Sequence, residues 1–247
     1  MEEVNVRFLG SGDAFGSGGR FQTCIQVRSG EANFLIDCGA SSLVAMKHFG
    51  VDPSVVDIIL LTHLHGDHFG GLPFFVLDAQ YVSRRERPLV VAGPPGLETR
   101  ITEAMEVLYP GTSQAQREFA LEFVELTAGT PATIGPLVVT PYEVVHPSGA
   151  PSYALRVECG DKVVAYSGDT EWTDALIQVA SRADLFVCEC NFLEGSAGYH
   201  IDYLTLMKYR AELECRRLVL THMGEEMLNK VGDLDVEGAH DGKSFAL

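Results

Sequence analysis

The sequence has few of the features that mark a secreted, disulfide-stabilised or membrane protein. Its six cysteines are scattered over 247 residues, without a C-x-x-C pair or zinc-finger spacing. Most of them lie in apolar, strand-like runs, so we interpret them as buried and reduced. The first residues lack the basic and apolar segments of a signal peptide, and no apolar run approaches membrane-spanning length. These absences predict a soluble, cytoplasmic protein without a membrane partner.

Basic side chains are also scarce. The sequence has 18 Lys and Arg residues against 34 Asp and Glu residues, which gives a formal net charge of -16. Because affinity for nucleic acid comes largely from Lys and Arg that neutralise phosphates, a long polyanion would be repelled over most of this surface. Bound metal ions would offset part of the charge only locally. We therefore expect a small-molecule substrate and disfavour long nucleic acid as a partner.

No repeat, low-complexity segment or Pro/Gly-rich linker divides the chain. With 247 residues and 46% hydrophobic content, it is long enough to bury one sizeable core. We predict a single domain over residues 1–247.

The densest group of chemically active residues follows the apolar run 58–61. His63, His65, Asp67 and His68 lie within a six-residue stretch. Alternate residues of an extended chain face the same way, so the first two imidazoles can reach one ion, and the next two residues could serve a second. Glycines at 66, 70 and 71 let the backbone fold tightly before a predicted helix over 72–82. A polar surface loop with ordinary histidines is the alternative, which the density of this motif disfavours.

Three later apolar runs also end in a possible ligand. His146 follows the run 142–145, Asp169 lies in the Ser-Gly-Asp-Thr sequence after 163–166, and His222 follows 218–221. A histidine at a strand end is often an ordinary core residue, and for His146 this remains the alternative. The repetition of the pattern favours a shared metal site.

The H-x-H-x-D-H pattern resembles the metallo-β-lactamase superfamily of hydrolases. The Gly-Pro-Pro-Gly sequence after 89–92 and the Ser-Gly-Asp-Thr element resemble its ribonuclease Z-like branch. The resemblance implies an α/β fold, a four-layer αββα sandwich in which helices flank two mixed β-sheets. It also implies that Asp37, in a D-x-G element, braces the histidine loop without binding metal.

The same resemblance implies a pair of divalent metal ions. His63, His65 and His146 would hold one ion, Asp67, His68 and His222 the other, and Asp169 would lie between them. An imidazole-rich set with carboxylates favours zinc, with manganese or iron as alternatives. Family members commonly dimerise, so a homodimer is a further expectation. Ribonuclease Z proteins carry a long basic arm that grips RNA, and residues 110–118 are too short for such an arm.

A proton donor for the leaving group is predicted at His200. Ribonuclease Z-like enzymes and related phosphodiesterases have a histidine at this place that acts as general acid. Asp202, two residues on, departs from their pattern but could orient the imidazole. An ordinary surface histidine is the alternative. Asp67 or Asp169 would orient the attacking water.

A glycine-rich loop over residues 10–20 admits two interpretations. Its backbone N–H groups could face an anion, with Arg20 adding charge near the substrate. A plain connector between strands is equally compatible with the sequence.

The leading functional hypothesis is a metal-dependent phosphodiesterase that acts on a small cyclic or nucleotide-like phosphodiester, or on a short RNA end. The second keeps the metal ions but changes the substrate to an acyl compound such as a lactone, thioester or β-lactam. The third is a non-catalytic metal-binding protein, disfavoured because closed structural zinc sites use four ligands and leave no open position.

Overall fold

Two seven-stranded β-sheets face each other in the computed structural model, which describes residues 3–30, 32–195 and 198–247. The first sheet consists of β1 (Asn5–Gly10), β2 (Cys24–Arg28), β3 (Asn33–Ile36), β4 (Ile58–Leu60), β5 (Leu89–Gly93), β6 (Leu121–Glu125) and the late strand β14 (Ser244–Ala246). The second consists of β7 (Ala132–Ile134), β8 (Leu137–Val144), β9 (Ser152–Cys159), β10 (Lys162–Tyr166), β11 (Leu185–Glu189), β12 (Leu218–Thr221) and β13 (Glu237–Gly238).

The two sheets share one pattern of strand directions. The first has the order β14-β1-β2-β3-β4-β5-β6, and the second has the order β13-β12-β11-β10-β9-β8-β7. Counted from β14 in the first sheet and from β7 in the second, three antiparallel pairings are followed by three parallel ones. The change falls at β3 in the first sheet and at β10 in the second. Because parallel strands end at the same edge of a sheet, residues that follow β10 and β12 of the second sheet lie at one edge. The residues that follow β4 come from the first sheet, which packs against the second.

Helices cover the outer faces of both sheets. They are α1 (Ser42–His48), α2 (Gly66–Phe69), α3 (Leu72–Tyr81), α4 (Leu97–Leu108), α5 (Ala175–Ala180), α6 (Tyr203–Lys208) and α7 (Glu225–Lys230). Across the described parts of the chain, no helix has both the length and the apolar character needed to cross a bilayer.

The core lies in three apolar layers. Val6 and Phe8 of β1 are fully buried with Leu155 and Val187 of the second sheet. A second layer joins the first sheet to α1, α3 and α4, and a third joins the second sheet to α5, α6 and α7. Each sheet is therefore buried on both faces, as near-continuous apolar strands require. The predicted αββα sandwich is confirmed.

Two local features concern the start of α1 and the cysteines. Ser41 lies before α1, but its hydroxyl accepts a hydrogen bond from the Gln22 N–H (2.7 Å) and does not cap the helix. The helix is instead held by the buried side chains of Ala45 and Met46. The cysteine prediction is confirmed, since all six thiols are free and only Cys215 is partly exposed.

Candidate metal centre

The motif loop begins where β4 ends. His63 and His65 follow in the loop, where His65 has an extended backbone, and Asp67 and His68 lie in the single turn of α2. His63 and His68 are completely buried, and Asp67 is nearly so. Burying this many ionisable groups is unfavourable unless they are paired or hold a metal.

A chain of hydrogen bonds fixes the orientation of two imidazoles. Asp37, fully buried, accepts from the Thr62 N–H and hydroxyl, both at 2.8 Å, and from His68 Nδ1 at 2.7 Å. Because the Thr62 hydroxyl donates to Asp37, its oxygen is left to accept from His63 Nδ1, 3.0 Å away. Both imidazoles therefore direct Nε2 into the centre, and Asp37 has the predicted bracing position.

The Asp37 turn and the motif loop interlock through two glycines. A Cβ on Gly39 would lie 2.3 Å from the Asp67 carbonyl oxygen, and one on Gly71 would lie 2.2 Å from the Gly39 carbonyl oxygen. Real Cβ atoms do not approach backbone so closely, so both positions require glycine. The brace and the loop consequently hold a fixed position relative to each other.

Replacing Asp37 with asparagine is expected to lower the affinity for divalent metal about 10- to 100-fold, the range typical of residues that orient metal ligands. The asparagine side chain has only one acceptor oxygen, and its N–H₂ group would face a donor of Thr62 or His68 that the Asp37 carboxylate now accepts. Competition with a chromophoric chelator measures the change, with the exposed Asp161→Asn as a control. Unchanged affinity in Asp37→Asn would contradict the bracing role.

The second sheet supplies the remaining residues of the centre. His146 lies just beyond β8, Asp169 follows β10 in a tight turn, and His222 follows β12. His222 adopts a left-handed backbone conformation, with φ at 57°. Such a conformation is unfavourable for a side-chain-bearing residue and persists where the surrounding structure enforces it.

The structure brings all seven predicted ligands into two adjoining groups. His63, His65 and His146 form one group, and Asp67, His68, Asp169 and His222 form the other, with the ligand atoms of each within 4.8 Å of one another. Asp169 faces both groups: its carboxylate lies 3.3 Å from His68, 3.4 Å from His222 and 3.9 Å from both His63 and His146. This division agrees with the one predicted from resemblance.

Several buried polar atoms at the centre lack hydrogen-bond partners. They are His63 Nε2, His68 Nε2 and Asp169 Oδ1, of which the last two lie 3.3 Å apart without forming a hydrogen bond. Buried polar groups are nearly always satisfied in folded proteins, so a cluster of unsatisfied nitrogens and oxygens indicates a missing partner. Imidazole and carboxylate are ligands of zinc and related divalent ions, and this donor set fits such ions.

The electrostatics of the centre suit the binding of cations. Burial and the neighbouring His68 hold the pKa of His63 well below its ordinary value, so this imidazole is neutral, the form that binds metal. Burial lowers the pKa of His222 too, but Asp169 and Asp67 outweigh it and raise the pKa to about 9. The resulting imidazolium partly balances the carboxylates. A bound cation would take over that role and displace the proton.

His200 lies at the open side of the centre. Its ring is 5.0 Å from that of His146 and 5.7 Å from that of His222, and a quarter of its side chain is exposed. Nδ1 contacts Glu189 Oε1 at 3.0 Å, which leaves Nε2 available to a substrate. Burial lowers the pKa of His200, but the hydrogen bond and charge of Glu189 outweigh it and raise the pKa above its ordinary value. The pair therefore favours the protonated imidazole.

The carboxylate that orients His200 is Glu189, and the suggestion that Asp202 does so is wrong. Asp202 accepts hydrogen bonds from the N–H and hydroxyl of Thr205 and caps α6. Glu189 is completely buried at the end of β11 and also accepts from the Thr170 N–H at 2.6 Å. Its position after an apolar strand, like those of the other active residues, was the signal that could have identified it.

The glycine-rich loop is not an anion cradle. Asp13 accepts hydrogen bonds from the N–H groups of Phe15 and Ser17, and Asp241 accepts from those of Ser11 and Phe21. Arg20 donates to the Ala239 carbonyl at 2.7 Å. These N–H donors, which could have faced a substrate, are thus used within the chain, because Asp13 of the loop and the distant Asp241 organise it.

The facing mixed sheets and the His/Asp cluster at their shared edge define a metallo-β-lactamase-fold protein. A family model described as Anti-Pycsar protein Apyc1 matches residues 4–240, and the chain belongs to this family. The predicted class, a hydrolase of the metallo-β-lactamase superfamily on its ribonuclease Z-like branch, is confirmed.

Individual relatives agree with this assignment. The chain is 28% identical over 203 residues to the probable metallo-hydrolase YhfI of Bacillus subtilis, covering 79% of this chain and 77% of the relative. It is 26% identical over 276 residues to ribonuclease Z of Methanothermobacter thermautotrophicus, covering 89% of this chain and 86% of the relative. The crystal structure of YhfI superimposes with a TM-score of 0.79 at 22% identity, covering 99% of this chain and 100% of that one. The crystal structure of human tRNase Z, short form, superimposes with a TM-score of 0.77 at 24% identity, covering 98% of both chains. The structural similarities establish the fold.

Proposed function

We propose that this protein is a phosphodiesterase that hydrolyses a small cyclic or nucleotide-like phosphodiester, or a short RNA end, with two divalent metal ions, most consistently zinc. The observation that carries the proposal is the Glu189–His200 pair beside the seven-residue cluster. Expulsion of an alkoxide from a phosphodiester needs a proton, whereas opening a lactone or β-lactam does not require a donor at this place.

The chain's own residues divide the chemistry between two sides of the centre. When bound, two divalent cations supply a lowered pKa for water and a counter-charge for the phosphodiester. His63, His65 and His146 would hold one cation, and Asp67, His68 and His222 the other, with Asp169 between them. Asp67 has an oxygen 3.2 Å from both His68 and His222, and orients the attacking water. His200 delivers a proton from Nε2 to the departing oxygen, and Glu189 holds its ring.

Two further features favour a small substrate. Only residues 109–120 connect α4 to β6, and Glu106 folds this connection back by accepting hydrogen bonds from Gly111 and Ser113. The net charge of -16 disfavours a long polyanion. Relatives named ribonuclease Z cleave RNA, as that name states, and RNA is joined by phosphodiester bonds. The same bond in a smaller molecule suits this chain.

The test is turnover of bis(p-nitrophenyl) phosphate by zinc- or manganese-loaded protein, with and without EDTA, beside a lactone and a β-lactam. We expect cleavage of the diester alone, lost with EDTA and restored by added metal. Cleavage of an acyl substrate in place of the diester would support the acyl-hydrolase alternative. Diester turnover that EDTA does not affect would contradict the metal assignment.

A further inference from the structure

Three of the exposed, large apolar side chains stand on segments that contact the metal centre. Phe15 is 92% exposed, Tyr199 50% and Val145 41%. Val145 directly precedes His146, and the Tyr199 carbonyl lies 3.0 Å from His146 Nδ1. Apolar side chains beside a charged cluster form a binding surface of mixed character, which suits a ligand with one charged and one apolar part.

Phe15 is held out from the protein by a well-ordered network. The carboxylate of Asp13 accepts from the Phe15 N–H at 3.2 Å and from the N–H and hydroxyl of Ser17 at 2.9 and 2.7 Å. The Gly18 N–H donates to Glu225 of α7 at 2.8 Å. The loop on both sides of Phe15 is therefore fixed, and its ring is presented without the entropic cost of ordering a mobile loop.

The loop that carries Phe15 borders the cluster on two sides. The Ser11 carbonyl accepts from the N–H of His222 at 3.1 Å. The Ala14 carbonyl accepts from the Gln22 side chain at 3.2 Å, and that side chain packs on Gly39, which itself abuts the Asp67 backbone. The loop that carries Phe15 therefore adjoins the cluster beside Asp67 and His222.

Tyr199 lies on another loop, next to His200 in sequence, and its carbonyl contacts His146. Its backbone is left-handed, with φ at 63°, a conformation that side-chain-bearing residues rarely adopt. The strained turn places an aromatic ring in solvent and directs its carbonyl to His146. Two exposed aromatic residues therefore flank the cluster from loops of different sheets.

We propose that Phe15 and Tyr199 together hold the planar heteroaromatic base of a nucleotide-like phosphodiester whose phosphate lies at the metal centre. This inference rests on the proposed function and adds the residue that determines specificity. Arg20, the cation of this loop, donates from Nη1 to the Ala239 carbonyl and lies near the charge of Asp241. An aromatic face can hold a base without charge, because every base presents a π-face.

The experiment compares two esters that share a leaving group, thymidine 5′-(p-nitrophenyl) phosphate and methyl p-nitrophenyl phosphate. The metal-loaded protein and its Phe15→Ala and Phe15→Tyr variants are assayed on both. Phe15→Ala is expected to lower the ratio of kcat/KM for the thymidine ester to that for the methyl ester about tenfold, mainly through KM. Phe15→Tyr should restore the ratio. Tyr81→Ala, which removes an exposed aromatic at the far end of α3, is the control.

Each other outcome contradicts the inference. If the original protein shows no preference for the thymidine ester, or Phe15→Ala lowers both activities equally, Phe15 does not hold the base while the phosphodiesterase proposal stands. A monomer–dimer change in Phe15→Ala by light scattering, with the ratio unaltered, would place Phe15 in a subunit contact. Cleavage of neither ester by the original protein would overturn the proposed function and this inference together.

Discussion

Replacing Asp169 with alanine is expected to reduce phosphodiester turnover about 10³-fold or more while the fold persists. Asp169 is the only described residue whose carboxylate faces four of the imidazoles, at 3.3 to 3.9 Å. Its removal leaves the two ligand groups without their shared anion, so at least one cation should be lost. Lewis-acid stabilisation of the transition state is worth several kcal/mol, and each 1.36 kcal/mol corresponds to a tenfold change in rate.

Activity, bound metal and circular dichroism should be measured on the same preparations of Asp169→Ala. Asp161→Ala is a matched control, because Asp161 lies exposed in the turn at the other end of β10. A loss of activity with native circular dichroism and reduced metal content supports the assignment. Full activity in Asp169→Ala would refute it, since no other described carboxylate occupies the place between the two groups.

Replacing His200 with alanine should have an effect that depends on the leaving group. General acid catalysis contributes roughly 10²- to 10⁴-fold, and its benefit falls as the leaving group becomes a better anion. We therefore expect His200→Ala to reduce turnover about 10²-fold or more for a diester with an alkoxide leaving group, such as a 3′,5′-cyclic nucleotide. Loss should be much smaller for p-nitrophenolate, which needs little protonation.

The comparison requires both substrates and the Glu189→Gln variant. Glu189→Gln keeps a hydrogen-bond acceptor for His200 Nδ1 but removes the charge that favours the imidazolium, so it should follow the same leaving-group trend more weakly. His48→Ala, in the exposed end of α1, serves as control. Equal losses on both substrates would show that His200 acts on binding or on the metal ligands and not as a proton donor.

Much of the centre was predictable because its ligands follow apolar strands. A run such as 58–61 or 218–221 is recognisable as a buried strand that ends in a possible ligand. These two strands belong to different sheets, so the resemblance to a known family, and not strand pairing, grouped their ligands at one site. The two-sheet sandwich came from the resemblance, and the order of strands within each sheet was not predicted, since periodicity alone does not specify it.

The contacts that were missed depend on residues far apart in sequence. Glu189 lies 11 positions before His200, and Asp241 lies 230 positions after Ser11. A local pattern favoured Asp202 as the partner of His200, but the amino terminus of α6 satisfies that carboxylate more directly. The anion-cradle hypothesis failed for the same reason: local glycine spacing does not reveal which distant carboxylate will use the exposed N–H groups.

The metal centre lies between the two sheets and draws its residues from both halves of the chain. The amino-terminal half contributes four neighbouring residues on one loop, whereas the carboxyl-terminal half contributes three that are widely separated in sequence. The loop and its brace at Asp37 belong to one half of the chain, but the other three residues converge only when the second sheet has assembled. Ions that bind all seven residues bind only the completed fold and stabilise it by mass action. The centre therefore couples the assembly of the two halves, and the protein acquires its full stability in the same step as its capacity for catalysis.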